Sequence, residues 1–303
     1  MSMRALVTGG TGHVGTFLTD ALLERGYTVT LFDYAEGSVR DDERVSFIKG
    51  DLADELGVYR AVVESRATDI FHLGAMIGAS CDRNPLYAWK VNFRSTNVLL
   101  EAMLSLGISR FFMLSSLAVF GVEAGDPAAD DAPRNPPNIY GQTKLASEHL
   151  LRWYAEKHGL DARALRFPRT FGPRRRNGFT AIYSQMLDGI ARGEEVDVID
   201  PDSRGSWLYI RNAVQAILDY HSAPDPGRRV YNIGAPVMTA REFALRALEI
   251  CPGAKLRFVQ RNVQNEMPYP RGLDDTCARE DWGWNPRYDL DSAIREHIAM
   301  QTA

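Results

Sequence analysis

The first half of the chain alternates short apolar runs with longer segments that carry apolar residues at helical spacing. The apolar runs are Met3–Thr8, Tyr27–Asp33, Val45–Lys49, Thr68–His72, Arg110–Leu114 and Ala162–Phe167. The amphipathic segments between them are Val14–Arg25, Ala53–Ser65, Leu86–Leu106 and Tyr140–His158. Buried strands that alternate with such helices form βαβ units, whose right-handed crossovers build a parallel sheet. The pattern therefore predicts an α/β fold with a doubly wound parallel sheet of the Rossmann type.

After Phe167 the alternation loosens, because Pro168, Gly172 and Pro173 interrupt it. Helices are predicted over Phe179–Arg192, Asn212–His221, Ala240–Ile250 and from about Asp291, and a strand over Val230–Ile233. We expect residues 1–167 to form the Rossmann domain, which also receives residues 206–235. Residues 168–303 are expected to form a smaller C-terminal lobe rather than an independent domain.

The composition is that of an ordinary globular protein of 303 residues, with 45% hydrophobic and 24% charged residues. A net charge of −4 gives no electrostatic footprint for nucleic acid or an anionic membrane. No apolar run approaches the roughly 20 residues of a membrane span. Cys81, Cys251 and Cys277 have neither CxxC nor metal-ligand spacing, so we expect reduced thiols and no metal. Since the chain opens directly on an apolar strand without a signal sequence, we expect a cytoplasmic protein.

A glycine-rich turn, within Thr8–Gly15, separates the first strand from the first helix. Gly9, Gly12 and Gly15 satisfy GxxGxxG, and Gly10 with the last two satisfies GxGxxG. Glycines permit a tight turn and close approach of the backbone to a pyrophosphate, while the following helix N-terminus supplies amides and a partial positive charge. In its strand–turn–helix setting, the motif predicts a dinucleotide site.

An acidic residue, Asp33, ends the second strand about 20 residues beyond the glycine turn, where a carboxylate accepts the ribose hydroxyls of adenosine. Because a carboxylate there repels a 2′-phosphate, the pattern favours NAD over NADP, although Arg40 downstream leaves the second choice open. Asp51 and Leu52 follow the third strand, where an adenine contact is expected. Capping of the next helix explains Asp51 equally well.

Tyr140 and Lys144 lie four residues apart in a predicted helix and so share one face. A lysine charge favours the phenolate and lowers the phenol pKa toward working pH, which makes Tyr140 a candidate base for an alcohol proton. Lys144 can also hold a nicotinamide ribose. Ser115 and Ser116 follow the fifth strand at the ligand-binding edge of the sheet, so Ser116 is a candidate partner for the reacting oxygen. A surface helix pair and a polar strand end are the alternative interpretations.

Together these motifs resemble those of the extended short-chain dehydrogenases, the NAD-dependent epimerase/dehydratase family, which includes nucleotide-sugar epimerases and dehydratases. The matching segments occur in family order: Thr8–Gly15, Asp33, Asp51-Leu52, His72–Ala75, Val91-Asn92, Ser115–Gly121, Tyr140–Lys144 and Tyr231–Gly234. The resemblance implies that Tyr140, Lys144 and either Ser116 or Ser115 are catalytic. It implies NAD as the cofactor, contacted by Gly9, Gly12, His13, Val14, Gly15, Asp33, Asp51, Leu52, Leu73, Gly74, Ala75, Asn92, Tyr140, Lys144 and Phe167.

The C-terminal segment is similar to that of the short-chain-type L-threonine dehydrogenases within this family. The similarity rests on Leu273-Asp274-Asp275, Ala278-Arg279, Asp281–Pro286, Tyr288–Leu290 and, further upstream, Ser116–Gly121. Two tryptophans around a glycine would also pack well in any member. Other segments depart from each subgroup. The segment Phe167–Arg176 is closer to the sugar-modifying pattern, yet Arg169 stands where sugar epimerases usually have Asn. Leu117-Ala118 replace the acidic pair of the 4,6-dehydratases, which disfavours dehydration.

Four arginines after the sixth strand, Arg169 and Arg174–Arg176, suggest an anionic substrate, because guanidinium forks match carboxylate or phosphate. A solvated basic loop explains most of them equally well. Arg169, nearest the strand end, is the candidate substrate contact, together with Ser116 and Met76. We expect the Arg169→Ala variant to have a raised KM for an acidic substrate and an unchanged affinity for NAD.

Three functions remain open from the sequence. The first is a dehydrogenase that oxidises a secondary alcohol of a small polar or acidic substrate, such as a sugar, a sugar acid or an amino alcohol like threonine. The second is an epimerase of a sugar or nucleotide-sugar with tightly bound NAD and no net NADH. The third is a non-enzymatic NAD-binding sensor, against which the intact Tyr140 and Lys144 argue. The resemblance also implies a homodimer through the helices Leu86–Leu106 and Tyr140–His158, although packing against the chain's own core explains the same apolar stripes.

Overall fold

The computed structural model describes residues 3–37, 39–175, 178, 181–261 and 269–302. Its strands are β1 (Arg4–Thr8), β2 (Thr28–Asp33), β3 (Val45–Lys49), β4 (Asp69–His72), β5 (Arg110–Ser116), β6 (Asp161–Phe167), β7 (Arg169–Phe171), β8 (Glu195–Ile199), β9 (Arg204–Tyr209), β10 (Val230–Asn232), β11 (Val237–Thr239) and β12 (Lys255–Val259). Its α-helices are α1 (His13–Glu24), α2 (Glu55–Ser65), α3 (Ala79–Arg83), α4 (Pro85–Trp89), α5 (Ser95–Leu106), α6 (Ile139–His158), α7 (Ala181–Ala191), α8 (Ile210–Ser222), α9 (Ala240–Ile250), α10 (Thr276–Trp282) and α11 (Leu290–Thr302).

The main sheet has the strand order β10-β6-β5-β4-β1-β2-β3, and all its neighbouring strands are parallel. From β1 the chain proceeds to β2 and β3 on one side and then returns to β4, β5 and β6 on the other. The predicted doubly wound α/β fold is thereby confirmed. This reversal makes the carboxyl ends of β1 and β4 a topological switch point, the place where open α/β sheets bind ligands.

Apolar residues on both faces of the sheet explain why its strands are buried. One hydrophobic cluster joins the sheet to α1 and α8 and continues into the C-terminal lobe. A second cluster joins the opposite face to α2, α5 and α6. In β1, Leu6 belongs to the second cluster and Val7 to the first, since successive strand residues point to opposite faces.

The predicted helix Leu86–Leu106 is continuous in the structure but contains a π-helical turn, Lys90–Arg94, between α4 and α5. Such turns occur mainly as single interruptions of α-helices, often at functional sites. The carbonyl of Asn92, within the turn, accepts hydrogen bonds from the hydroxyls of Thr96, at 2.8 Å, and Ser147, at 3.2 Å. Because Ser147 lies on α6, the turn ties α6 to the neighbouring helix, a contact that hydrophobic spacing alone did not reveal.

The C-terminal lobe contains a small sheet of order β11-β9-β7 and the pair β12-β8, with α7, α9 and α11 packed on one another. Residues 206–235, expected to return to the Rossmann domain, divide between the two parts. β10 is the edge strand of the main sheet and α8 packs on α1, whereas β9 pairs with β7 and β11. None of the described helices combines the length and the apolar character needed to cross a bilayer.

Candidate active site

The turn between β1 and α1 is packed so closely that only glycine fits at two positions. A Cβ on Gly9, whose φ is +67°, would lie 2.6 Å from the Cα of Gly74. A Cβ on Gly15 would lie 2.4 Å from the carbonyl oxygen of Gly9. Gly12 precedes α1, and no side chain caps the first amides of that helix. The turn therefore fits the pyrophosphate of a dinucleotide, with bare backbone and open helix amides.

Asp33 lies at the end of β2 next to this turn, and its Oδ2 accepts a hydrogen bond from the amide of Thr11 at 3.2 Å. Arg40, the residue that left NADP open, instead pairs with Asp20 at 3.5 Å. Arg174 pairs with the same Asp20 at 3.3 Å. No arginine of the described residues therefore pairs with the carboxylate of Asp33, which leaves it able to accept the ribose hydroxyls of NAD.

Asp51 follows β3, and both of its carboxylate oxygens are engaged. Oδ1 accepts the amide of Ala53 at 2.8 Å, and Oδ2 accepts the hydroxyl of Tyr87 at 2.6 Å. That second hydrogen bond raises the pKa of Tyr87. Asp51 thus closes a turn before α2, whose N-cap residue is Asp54, so the geometry does not support the capping interpretation, and the predicted adenine contact stays a prediction. Leu52 packs in the second core cluster and approaches the backbone of Gly74.

The segment after β4 lies against the glycine turn. The amides of Leu73 and Gly74 both donate to the carbonyl of Thr8, at 3.1 and 3.0 Å. Two residues on, the amide of Met76 donates to Oδ1 of Asn92 at 2.8 Å, and Nδ2 of Asn92 donates back to the Met76 carbonyl at 3.0 Å. The Asn92 side chain thereby fixes the loop after β4. The predicted cofactor contacts Val14, Ala75 and Phe167 lie on α1, in this loop and at the buried end of β6, respectively.

His13, the first residue of α1, joins the glycine turn to the C-terminal lobe. Its Nε2 donates to the carbonyl of Pro173 at 3.1 Å, and Nη1 of Arg175 donates to its Nδ1 at 3.4 Å. Burial, with a further contribution from the Arg175 charge, lowers the pKa of His13 to about 3, so the imidazole is neutral. His13 thus has a structural role in joining α1 to the C-terminal lobe, and its predicted contact with NAD stays a prediction.

Arg175, one of the four arginines noted in the sequence, lies beside the glycine turn through its contact with His13. Its Nη1 donates to the carbonyl of Thr170 at 3.0 Å and to the Thr170 hydroxyl. Its Nε is buried without a hydrogen-bond partner in the described part of the chain. Burial lowers the pKa of Arg175 to about 10. Among the described residues no carboxylate pairs with Arg175, so its guanidinium could bind an anion next to the glycine turn. Arg176, the last of the four arginines, lies outside the described residues.

Tyr140 and Lys144 both lie on α6, where Asn138 caps the first turn by accepting the amide of Gly141 at 2.9 Å. Lys144 is only 2% exposed, and its Nζ donates to the carbonyl of Leu114, near the end of β5, at 2.7 Å. Burial lowers the pKa of Lys144 to about 8.

The pKa of the phenol does not follow the sequence-based expectation. Burial raises the pKa of Tyr140 to about 12, and the hydroxyl of Ser116, which favours the phenolate, offsets only part of that effect. The expectation that Lys144 brings the phenol pKa down is therefore wrong for the groups of the protein itself. Desolvation is the largest cause of the raised pKa, and the Nζ of Lys144 donates its hydrogen bond to the Leu114 carbonyl.

The two serines at the end of β5 point to different environments. Ser116 lines a cavity together with Tyr140. Ser115 is buried and donates to Oε1 of Glu148 at 2.6 Å. Glu148 in turn forms a bidentate ion pair with Arg166, at 2.9 and 2.8 Å, and both side chains are fully buried. Of the two serines that the sequence left open, the geometry favours Ser116 as the catalytic hydroxyl.

The cavity has a volume of about 140 Å³. Its lining comes from the segment between β4 and α3, from the end of β5 and the start of α6, from the strands β7 and β9, and from residues 269–271: Gly78, Ser116, Leu117, Ala118, Tyr140, Arg169, Arg204, Gly205, Ser206, Tyr269, Pro270 and Arg271. Of the predicted substrate contacts, Ser116 and Arg169 line it and Met76 does not. The contributions of Arg204, Tyr269 and Arg271 were missed, because no motif marks residues brought together from separate loops.

Arg169 is the most constrained of the cavity's charged groups. Its Nη1 is buried and has no hydrogen-bond partner in the described structure, and its guanidinium lies 5.9 Å from the ring centre of Trp207. Burial lowers the pKa of Arg169, although a guanidinium of this kind stays protonated at neutral pH. Among the described residues no group of three or more side chains is arranged to hold a metal ion.

A glycine turn at the switch point, a Tyr–Lys pair on one helix face and a serine at the end of the neighbouring strand together define a short-chain NAD-dependent enzyme. The chain belongs to the NAD-dependent epimerase/dehydratase family, whose sequence profile matches residues 5–234.

The relatives of this chain include both dehydrogenases and epimerases. The chain is 29% identical over 301 residues to the mitochondrial L-threonine 3-dehydrogenase of Bos taurus, covering 96% of this chain and 80% of that protein. A monomeric L-threonine 3-dehydrogenase from a metagenome superposes with a TM-score of 0.88 at 25% identity, covering 98% of both chains. The UDP-glucose 4-epimerase of Thermotoga maritima superposes with a TM-score of 0.87 at 27% identity, again covering 98% of both chains. The protein is therefore an NAD-dependent enzyme of the dehydrogenase and epimerase type.

Proposed function

We propose that this protein is an NAD-dependent dehydrogenase that oxidises a secondary alcohol of a small acidic substrate, with Tyr140 as the general base. The observation that carries the proposal is the buried, unpartnered Nη1 of Arg169 in the cavity that Tyr140 and Ser116 also line. A buried guanidinium without a hydrogen-bonding anion is costly to the fold, so its presence beside a catalytic pair argues for a ligand that supplies one.

The size of the cavity supports a small substrate. Its volume of about 140 Å³ is roughly ten times the minimum of about 10–15 Å³ for one water molecule. That space suits a molecule of about ten non-hydrogen atoms, the size of a four-carbon hydroxy acid. A nucleotide-sugar would extend well beyond this space, whereas a small alcohol would be contained in it.

The proposed chemistry assigns one task to each side chain. Tyr140 Oη takes the proton of the substrate hydroxyl, Ser116 hydrogen-bonds the same oxygen, and Arg169 holds the acidic group so that the alcohol lies against Tyr140. NAD, when bound at the glycine turn, supplies the hydride acceptor. Lys144, with a pKa near 8, carries a positive charge at neutral pH, and its proposed task is to hold the nicotinamide ribose of NAD.

The test presents the purified protein and NAD with sugar acids, L-threonine, neutral amino alcohols and nucleotide-sugars while NADH absorbance is followed. Stoichiometric NADH from a small alcohol supports the dehydrogenase, and an isomer formed without NADH supports the epimerase, the alternative that the Thermotoga neighbour favours. We expect Tyr140→Phe to lower kcat by at least about 100-fold. The matched control, Tyr59→Phe on α2, lies outside the cavity and should leave kcat unchanged. Turnover that survives without the Tyr140 hydroxyl, or NAD binding without turnover of any alcohol, contradicts the proposal.

We also infer a homodimer through α5 and α6, as the family resemblance predicts. Exposed apolar side chains on both helices support it, with Leu104 38% and Trp153 48% exposed. Light scattering coupled to gel filtration should give twice the chain mass of 33.9 kDa, and Trp153→Glu should shift the mass to that of one chain. A wild-type mass of one chain, as for the monomeric relative, contradicts the inference.

A further inference from the structure

The cavity beside Tyr140 is lined by charges of one sign. Arg169, Arg204 and Arg271 all contribute to its wall, and no aspartate or glutamate does so among the described residues. The remaining polar groups of the lining are hydroxyls and backbone. A bound molecule therefore meets positive charge and hydrogen-bonding hydroxyls.

The innermost of the three guanidiniums is held in place by its neighbours. A Cβ on Gly205 would lie 2.4 Å from Nη1 of Arg169, so the glycine at this position makes room for the guanidinium. On another side the ring of Trp207 lies within cation–π distance, at 5.9 Å. Arg169 is thus a fixed fork with an unused donor, the arrangement that recognises a carboxylate.

Two carboxylates near the cavity wall are engaged elsewhere. Asp126 accepts the backbone amides of Arg271 and Gly272, at 2.9 and 3.0 Å. Asp82 accepts the amide of Ile139 at the start of α6, at 2.9 Å. Neither side chain lines the cavity. An ammonium group in the cavity would therefore meet no carboxylate of the lining among the described residues and would be repelled by Arg169 and Arg204.

We propose that the substrate is a hydroxy acid without an amino group, such as a short hydroxycarboxylic or sugar acid, and that amino acids with a hydroxyl are poor substrates. This inference rests on the proposed function and names the substrate class of the same site. The carboxylate binds Arg169 and is chemically unchanged. The carbinol carbon loses a hydride to NAD and its hydroxyl loses a proton to Tyr140, so a C=O bond replaces the C–OH and an oxo acid is formed.

The inferred substrate class differs from the substrate in the names of several relatives. The bovine relative is called an L-threonine 3-dehydrogenase, and threonine carries an ammonium two bonds from the reacting carbon. Threonine and 2,3-dihydroxybutanoate share one carbon skeleton and one carboxylate, and they differ only in an ammonium or a hydroxyl at C2. This pair isolates the charge that the cavity is proposed to reject.

The experiment measures NADH formation from NAD with four compounds: 2,3-dihydroxybutanoate and L-threonine of matching configuration, 3-hydroxybutanoate, and butane-2,3-diol. We expect kcat/KM for the dihydroxy acid to exceed that for threonine by at least about tenfold, because an unpaired like charge several ångströms from a guanidinium costs that much even with protein-like screening. The diol, which lacks the carboxylate, should also be at least about tenfold poorer than the dihydroxy acid. A threonine kcat/KM equal to or above that of the dihydroxy acid overturns the inference.

A charge-reversal variant tests the cause of the preference. Arg204 lies at the exposed start of β9, so Arg204→Glu places a carboxylate in the cavity wall with little demand on the fold. We expect the ratio of kcat/KM for dihydroxybutanoate to that for threonine to fall at least about tenfold. The control is Arg241→Glu, since Arg241 is partly exposed, pairs with Asp202 at 3.2 Å and lies outside the cavity. An unchanged ratio in Arg204→Glu overturns the role given to the guanidiniums.

The two proposals fail in different ways. If threonine is oxidised best, the protein is still a dehydrogenase with Tyr140 as base, and only the substrate class is wrong. If none of the four compounds yields NADH while a nucleotide-sugar is converted to its isomer, the dehydrogenase proposal itself is wrong.

Discussion

Replacing Arg169 by alanine is the most direct test of how this protein binds its substrate. The change removes a guanidinium whose buried Nη1 has no hydrogen-bond partner in the described structure. Because this donor makes no hydrogen bond within the described structure, its removal should weaken substrate binding more than it destabilises the fold. Arg169 is remote from the glycine turn, where Gly9, Gly12 and Gly15 are expected to hold NAD.

The magnitude follows from the kind of contact that is lost. A hydrogen bond to a charged group contributes about 1.5–3 kcal/mol, which corresponds to roughly 10- to 150-fold in binding. The contact is made equally in the ground state and the transition state, since the acidic group does not react. The variant should therefore have a KM raised by about this factor for the acidic substrate, with kcat nearly unchanged.

The assay combines initial rates of NADH formation with calorimetric titration of NADH into the variant. We expect the dissociation constant of NADH to stay within about twofold of the wild-type value, because a twofold change corresponds to a binding free-energy difference smaller than RT. Arg174→Ala is the control, because Arg174 is exposed and pairs with Asp20 at 3.3 Å outside the cavity. An unchanged KM for the acid in Arg169→Ala would remove Arg169 from the substrate site and refute the reasoning.

Three further predictions concern buried polar groups. Glu148→Gln, which leaves the buried Arg166 without its carboxylate partner, should lower the free energy of unfolding in urea by about 3–5 kcal/mol. Ser116→Ala should lower kcat/KM about 10- to 100-fold in the NADH assay. Ser115→Ala should retain kcat/KM but lose about 1–3 kcal/mol of stability in urea unfolding, because Glu148 loses a buried hydrogen-bond donor. Burial lowers the pKa of His72 to about 3, so the unfolded chain binds a proton below pH 6.5 that the folded state does not. Stability should therefore fall as the pH drops from 6.5 toward 3, by about 3 kcal/mol at pH 4.5 from this residue, and an acid titration of unfolding that stays flat over that range would contradict it.

The parts of the site that sequence reasoning anticipated depend on neighbours along the chain. The glycine turn follows from its spacing between a strand and a helix, and the shared face of Tyr140 and Lys144 follows from helical periodicity. The fold class follows likewise from alternating apolar runs. Each of these features is decided by a few consecutive residues, so a sequence reports it directly.

The features that escaped sequence reasoning depend on tertiary contacts. Ser115 and Ser116 are equivalent in sequence, but consecutive strand residues face opposite sides, and only the structure tells which side faces the cavity and which faces Glu148. The pKa of Tyr140 was misjudged because its neighbour Lys144 is visible in the sequence whereas its burial is not. Arg204, at the start of β9, and Arg271, before α10, both line the cavity although they are far apart in the chain. Hydrophobic periodicity describes one element at a time and does not predict which separate segments meet.

The charges of the cavity and the ionisation of the base are physically linked. Burial moves the pKa of Tyr140 up to about 12 and that of Lys144 down to about 8, so below pH 8 the stable pair is a neutral phenol beside an ammonium. A substrate carboxylate entering the same cavity would raise the phenol pKa further, since two like charges at close range disfavour each other. If the substrate is an acid, as proposed, Arg169 would oppose this effect by neutralising the carboxylate where it binds. The same guanidinium would then both select the acid and limit the rise in the Tyr140 pKa, which would let an anionic substrate and a buried tyrosine base share so small a cavity.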